Sequence, residues 1–380
     1  MADTHMLTSE SVNRKRLVDT FIALIKINSP SFQEEELGEV LVPLLERAGC
    51  DVEVQMFDKS FNLMVLKKGI LGDVPPLLLS AHMDTIEPTE GIDFSVDDKF
   101  IRSTGKTVLG ADDKSAIAQI IEALTVLHEW KLPHGDIEIA LSSIEEKGLF
   151  GAKNLDFSHI RSKHALVLDS GGNVGKLVVK APTHLTYEIH VTGKSAHAGI
   201  EPEKGISAIR VAARIIEAVP DGRISGDTTA NIGMIRGGTA TNVVPREAVI
   251  HGEIRSLDNA VLENNRKVIF ETAAAVAQKN NATIRITEHE EYRTFAIEES
   301  DPFLKFLGGV VRKCGINPVL VETGGGSDAN ILNQHGIKAI NMSTGMQQVH
   351  SSEEHIAIKD LYDGCRILLQ TIVDFQEFKE

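Results

Sequence analysis

Eight acidic and imidazole side chains of this sequence fall where buried strands would deliver them. His82 and Asp84 follow the apolar run 77–81, and Glu145 and Glu146 follow the run 137–143. Asp169 ends the run 165–168, Asp112 and Asp113 stand at a loop-to-helix junction, and His350 comes one loop after 339–342. In open α/β sheets ligands bind outside the carboxyl ends of the strands, so these segments are expected to converge on one edge. Imidazole and carboxylate without thiolate form a donor set for Zn²⁺, and Mn²⁺ and Co²⁺ accept the same ligands. Each residue has a plainer reading when taken singly. Asp112 suits a helix N-cap, Glu145 and Glu146 a solvated loop, Asp169 a turn before Ser170-Gly171-Gly172, and His82 a hydrogen-bonded core histidine. None of these explains why all of them sit at strand ends, and a metal centre does.

The elements that must position these residues are legible as alternating signals. Residues 11–27 and 34–48 carry helical apolar stripes, the second closed by Gly49. Residues 115–130 place Ile117, Ile120, Ile121, Leu124 and Leu127 on one helical face. Between them the continuous apolar runs suit strands buried on both faces. Strands alternating with helices predict an α/β fold with a mixed sheet covered by helices. Near residue 180 the pattern changes to strict alternation at Leu185, Tyr187, Ile189 and Val191, the mark of a sheet with one covered face. From there the order strand, helix, strand, strand, helix, strand predicts a ferredoxin-like α+β unit inserted into the larger domain. The expected division is 1–179 with 295–380 for the first domain and 180–294 for the insert. Residues 1–6 are set aside.

Composition narrows the function. The 380 residues are enough for two domains. A net charge of −15 opposes nucleic-acid binding, which relies on clustered Lys and Arg. No apolar run approaches membrane-spanning length, and no basic-then-apolar leader is seen. Three cysteines, Cys50, Cys314 and Cys365, form neither a disulfide framework nor a thiolate metal site. They suit a reducing compartment, so a cytoplasmic chain is expected.

The motifs His82-Met83-Asp84-Thr85, Gly110-Ala111-Asp112-Asp113-Lys114, Glu145-Glu146, Asp169 and Ser195-Ala196-His197-Ala198-Gly199 occur in an order that resembles the metallopeptidase family that includes peptidase T. Gly238-Thr239-Ala240-Thr241-Asn242-Val243-Val244-Pro245 is similar to a segment of the related carboxypeptidases and deacylases. The resemblance implies a two-zinc catalytic domain of the zinc-peptidase type with an inserted lid or dimerisation domain, and hence a homodimer. It implies that His82, Asp112 and Asp169 hold one zinc, that Asp112, Glu146 and His350 hold the other, and that Glu145 is the general base. A bridging carboxylate suits two cations roughly 3.5–4 Å apart. Asp84 would accept the free N–H of His82 and orient that ligand. In the insert, His197 would stabilise the oxyanion across a dimer. Arg255 would clamp a substrate carboxylate, with a cross-strand ion pair as the rival reading, and Asn242 would add an amide.

The loop Gly324-Gly325-Gly326-Ser327-Asp328 lacks phosphate-loop spacing. Gly325 and Ser327 are expected to let backbone approach the substrate. Val108-Leu109-Gly110-Ala111 leads into the bridging Asp as in the aminotripeptidase branch. Residues 142–148 and 344–351 differ from peptidase T. The expected activity is therefore exopeptidase cleavage of short peptides, with N-acyl-amino-acid deacylase or carboxypeptidase as the alternative. A non-catalytic binding protein on the same scaffold is the reading of another class, but every expected ligand position is filled.

Overall fold

The computed structural model describes Leu7, residues 10–58 and residues 60–379; residues 1–6 lie outside the described residues. Two compact units are formed, one of Met1–Val179, Ala296–Glu322 and Ser327–Glu380, the other of Lys180–Phe295 and Thr323–Gly326.

In the first unit four strands lie side by side and parallel, in the order Ile137–Ser142, Leu77–His82, His164–Ser170, Lys338–Ser343. Every residue of Leu77–His82 and Ile137–Ser142 is buried, which is why both read as unbroken apolar runs. An antiparallel hairpin, Asp51–Phe57 with Ser60–Lys67, extends the sheet beside Ile137–Ser142. Its outer strand is largely exposed, and Val52, Val54 and Met56 alternate with Asp51, Glu53 and Gln55, a strand pattern present in the sequence although no strand was expected there. The helix Ala111–Trp130 is buried over most of its length and packs against Arg14–Ile25 and Ile358–Asp374. Burying each of its Ile and Leu side chains stabilises the fold by about 1.5–3 kcal/mol.

Because the four central strands are parallel, their carboxyl ends share one edge. His82 ends one strand, Asp169 is the last but one residue of another, and Glu145 and Glu146 follow a third. His350 reaches the same edge by a different device. It lies in the loop of a small hairpin, Met346–Gln347 with His355–Ala357, which a second sheet ties to Phe100–Ser103 and Phe94–Val96.

The second unit is a five-stranded antiparallel sheet in the order Gly222–Ser225, Thr228–Gly237, Glu247–Ser256, Thr183–Thr192, Thr283–Tyr292. Helices Ala208–Ala218 and Asn259–Lys279 pack on one face, over Leu185, Tyr187, Ile189, Val191, Ile250 and Ile254. Without the first strand this is the ferredoxin-like order expected from the sequence. The added strand is a short, exposed partner of the first residues of Thr228–Gly237, too polar to register as alternation.

Candidate metal centre

The strand Leu77–His82 ends with His82 Nε2 at 3.0 Å from Asp112 Oδ1 and 3.8 Å from Asp169 Oδ1. The other oxygen of Asp112, Oδ2, is 3.2 Å from His350 Nε2, and that nitrogen is 2.9 Å from Glu146 Oε1. The five side chains read from the sequence as ligands are thus brought together, with Asp112 turning one oxygen toward each imidazole. Asp112 reaches this position because it is not helical: its φ of −84° and ψ of 102° carry the chain outward before the helix begins in earnest. Gly110, two residues earlier, makes the turn at φ +75°, a conformation that disfavours side chains.

Carboxylates that the sequence did not single out hold this turn and its neighbours. Glu354 is 1% exposed and accepts hydrogen bonds from the backbone N–H of Leu109 at 2.6 Å, Gly110 at 2.9 Å and Asp112 at 3.0 Å. One carboxylate therefore fixes the loop of Asp112 from the loop of His350. Glu34, also buried, accepts from Ile144 N at 3.0 Å and Phe32 N at 3.1 Å, and so pins the approach to Glu145. Nothing in either residue's sequence context distinguishes it from a solvated acid, because the amides that tie it to the site, those of Leu109, Gly110 and Asp112 for Glu354 and of Ile144 for Glu34, are far along the chain.

Asp84 keeps only part of its expected contact. His82 Nδ1 lies 2.9 Å from the backbone carbonyl of Asp84, and the carboxylate stands farther off at 3.4 Å. The carboxylate instead accepts from Glu145 N at 2.8 Å, Glu146 N at 3.2 Å and Ser31 Oγ at 2.7 Å. Leu77–His82 ends at His82, so the extended geometry that would have aimed Asp84 at the ring does not continue. Asp84 orients the two glutamates more than it orients the histidine.

The electrostatics of this edge are strained without a cation. Burial, then the charge of Asp169, pushes the Glu145 carboxyl well above its ordinary range. Burial, then Asp112, does the same to Asp169. For Asp112 burial acts upward too, but hydrogen bonds with His350 and His82 hold its carboxyl below the usual range. His350 is raised to about 10 by its hydrogen bonds with Asp112 and Glu146. A crowd of buried carboxylates around two imidazoles is what divalent cations relieve. Two donor sets have their atoms within 4.8 Å of one another, His82 with Asp113 and Asp169, and His82 with Asp112 and Glu146. The first set draws on Asp113, where the sequence reading has Asp112, and the second draws on His82, where it has His350. Asp113 is fully buried; one oxygen accepts from His82 N at 3.2 Å and the other has no hydrogen-bond partner. Asp112, unlike Asp113, sets one oxygen 3.0 Å from His82 Nε2 and the other 3.2 Å from His350 Nε2. The oxygen-and-imidazole donor set, with a buried carboxylate oxygen left over, fits a pair of divalent ions.

The remaining expected residues have other surroundings. Ser327 is buried and caps the helix Asp328–Gln334 by accepting from Ala329 N, so its hydroxyl is engaged in the fold. Gly325 and the adjacent Gly324 and Gly326 belong to the second unit, where a Cβ on Gly326 would meet the Tyr292 ring at 2.2 Å. The glycine is required by that aromatic side chain. In the same unit Arg255 donates to Glu253 through Nε at 3.1 Å and Nη2 at 3.2 Å, and through Nη1 to Tyr292 Oη at 3.3 Å. Its ion pair runs along its own strand, two residues apart, not across strands. His197 is exposed and its segment pairs with that of Asn242: His197 bridges Val243, and Ala198 N donates to Asn242 O at 3.0 Å.

Comparison with known proteins gives this geometry a context. Residues 180–282 match the peptidase dimerisation domain of the M20 type, and residues 69–186 match peptidase family M28. An uncharacterized protein of Bacillus subtilis, YqjE, is 38% identical over 95% of this chain and 98% of that protein. The crystal structure of the aminopeptidase PepT from Bacillus cereus is 36% identical with a TM-score of 0.86, covering 96% of this chain and 99% of its own. That of a tripeptidase from Staphylococcus aureus is 32% identical with a TM-score of 0.90, covering 97% of this chain and 100% of its own.

Proposed function

The chain belongs to the M20-type metallopeptidases, in their peptidase T-like branch, and we propose that it is a two-zinc exopeptidase cleaving short peptides such as tripeptides. The observation that carries the proposal is Asp112, with one oxygen toward His82 and the other toward His350. His82, Asp112 and Asp169 would hold one ion, and Asp112, Glu146 and His350 the other. When bound, the pair supplies Lewis acidity that polarises the scissile carbonyl and acidifies water. Mn²⁺ or Co²⁺ would suit the same donors.

Glu145 takes the proton released by the attacking water and passes it to the leaving amine. Its neighbour Glu146 is free for ligation because Asp84 holds both backbone amides and so fixes the two side chains in different directions. Across a dimer, His197 of the inserted domain would donate to the developing oxyanion. Arg255, with Asn242 beside it in role, would exchange Glu253 for the substrate carboxylate, keeping a two-pronged contact. Gly325 would let backbone approach that substrate closely.

The inserted domain is also the proposed dimer contact. Thr228–Gly237 pairs with Gly222–Ser225 only at its start, and among the described residues nothing pairs with the rest of that edge. Met234 and Ile235 are each 47% exposed there, one on each face of an open edge of the kind that proteins cover. A second copy of the chain is the occupant that the dimerisation-domain match suggests. Sedimentation of the full chain at micromolar concentration should give a dimer, and a monomer there would contradict this contact. Among the described residues no helix is long and apolar enough to cross a membrane. The three cysteines are unpaired, which supports a cytoplasmic setting.

The substrate class has a direct test. A tripeptide with a free amino terminus is expected to be hydrolysed by the zinc-loaded chain, and its N-acetylated counterpart much more slowly. Turnover of the blocked peptide alone would make the enzyme a deacylase or carboxypeptidase.

A further inference from the structure

Phe32 is the one exposed phenylalanine of the chain's 14; the others are buried or half-buried. It is 61% exposed and holds φ at +73°, a left-handed conformation that a bulky residue adopts only where its surroundings impose it. Exposure and backbone strain at one aromatic residue need a reason, and its attachments supply one. On its N-terminal side the chain is laid along the His82 loop. Ser29 Oγ donates to Met83 O at 3.0 Å, Thr85 N donates to Ser29 O at 2.9 Å, and Ser31 Oγ donates to Asp84 Oδ2 at 2.7 Å. On its C-terminal side Glu34 accepts both the Phe32 amide and the amide of Ile144, the residue before Glu145. Phe32 is therefore fixed between the loop carrying a ligand histidine and the loop carrying the two glutamates.

We propose that Phe32 is a specificity-determining residue whose ring packs on an apolar side chain of the peptide, next to the bond that is cleaved. The inference rests on the peptidase reading above and narrows its substrate class to peptides with an apolar residue at one position. The metal ligands and glutamates offer only polar contacts to the reacting amide. The ring is an apolar surface anchored beside them, and covering it with a substrate side chain removes both surfaces from water. The strained turn holds the ring toward solvent, where a fully relaxed chain would tuck it away.

The test uses the zinc-loaded full chain with two substrate series, Xaa-Gly-Gly and Gly-Xaa-Gly, with Xaa either Leu or Ala. The variants are Phe32→Gly, which accepts the left-handed backbone and so preserves the turn, and Phe32→Leu, which keeps an apolar group. The wild type is expected to prefer Leu over Ala in one series. Phe32→Gly should lower kcat/KM for that Leu peptide roughly ten-fold, with less than about a two-fold change for its Ala counterpart. Phe32→Leu should restore much of the loss. Equal loss on Leu and Ala peptides, or no loss on either, overturns the inference while leaving the peptidase reading intact. A wild type that cleaves none of the peptides overturns both.

Discussion

Replacing Glu145 with Gln is expected to lower kcat by roughly 10²–10⁴-fold while leaving the zinc content unchanged. The side chain is only 8% exposed, and its backbone amide is held by Asp84 Oδ1 at 2.8 Å, so the isosteric amide keeps its place. What it loses is the ability to accept a proton. Burial, then the charge of Asp169, raises the proton affinity of Glu145, which makes its carboxylate a stronger base than an exposed one. Glu145 is not among the five side chains proposed to hold the ions, so metal binding should survive. Steady-state kinetics beside elemental analysis separates the two effects. A variant that keeps both its zinc and a kcat within tenfold of wild type would remove Glu145 from the mechanism.

The second large effect is expected at Asp112. Asp112→Asn keeps the shape but removes the charge and one acceptor from the side chain that faces His82 at 3.0 Å and His350 at 3.2 Å. Zinc should fall from two ions per chain to one or fewer. Since metal assistance is worth several kcal/mol, kcat/KM should drop by roughly 10³-fold or more. Asp113→Asn is the matched control, because Asp113 is the neighbour that the donor geometry also brings near His82 and Asp169. Its oxygen on the His82 amide makes it a support for that strand end, so its loss should cost stability more than stoichiometry. Loss of one zinc in Asp113→Asn with both retained in Asp112→Asn would reverse the bridging assignment.

The cluster of proposed ligands was legible because their positions obey a rule that acts over short stretches. A run such as Leu77-Leu78-Leu79 has few places to go except a strand buried on both faces, and the residue after it must emerge at the carboxyl edge. The parallel arrangement then gathers His82, Asp169 and the Glu145–Glu146 pair without further information. His350 was less accessible to this logic, since its loop is placed by two short strands, Met346–Gln347 and His355–Ala357, that have no pattern of their own. The supporting carboxylates were not legible at all. Glu354 reaches Asp112 N from 242 residues away and Glu34 reaches Ile144 N from 110, and an acid that binds backbone amides leaves no mark in the sequence beside it. Ser327 shows the opposite failure. A Ser followed three residues later by Asn330 is close to a helix-start pattern, and the structure uses the hydroxyl as a cap.

The most direct test of the two-metal site is a zinc titration of the chain after chelation and dialysis, followed calorimetrically and checked by elemental analysis. The wild type should take up two ions per chain, with His350→Ala retaining one and Asp112→Asn retaining one or none. A wild type that saturates at a single ion, or binds none at micromolar zinc, would contradict the assignment of these five residues as a two-metal centre.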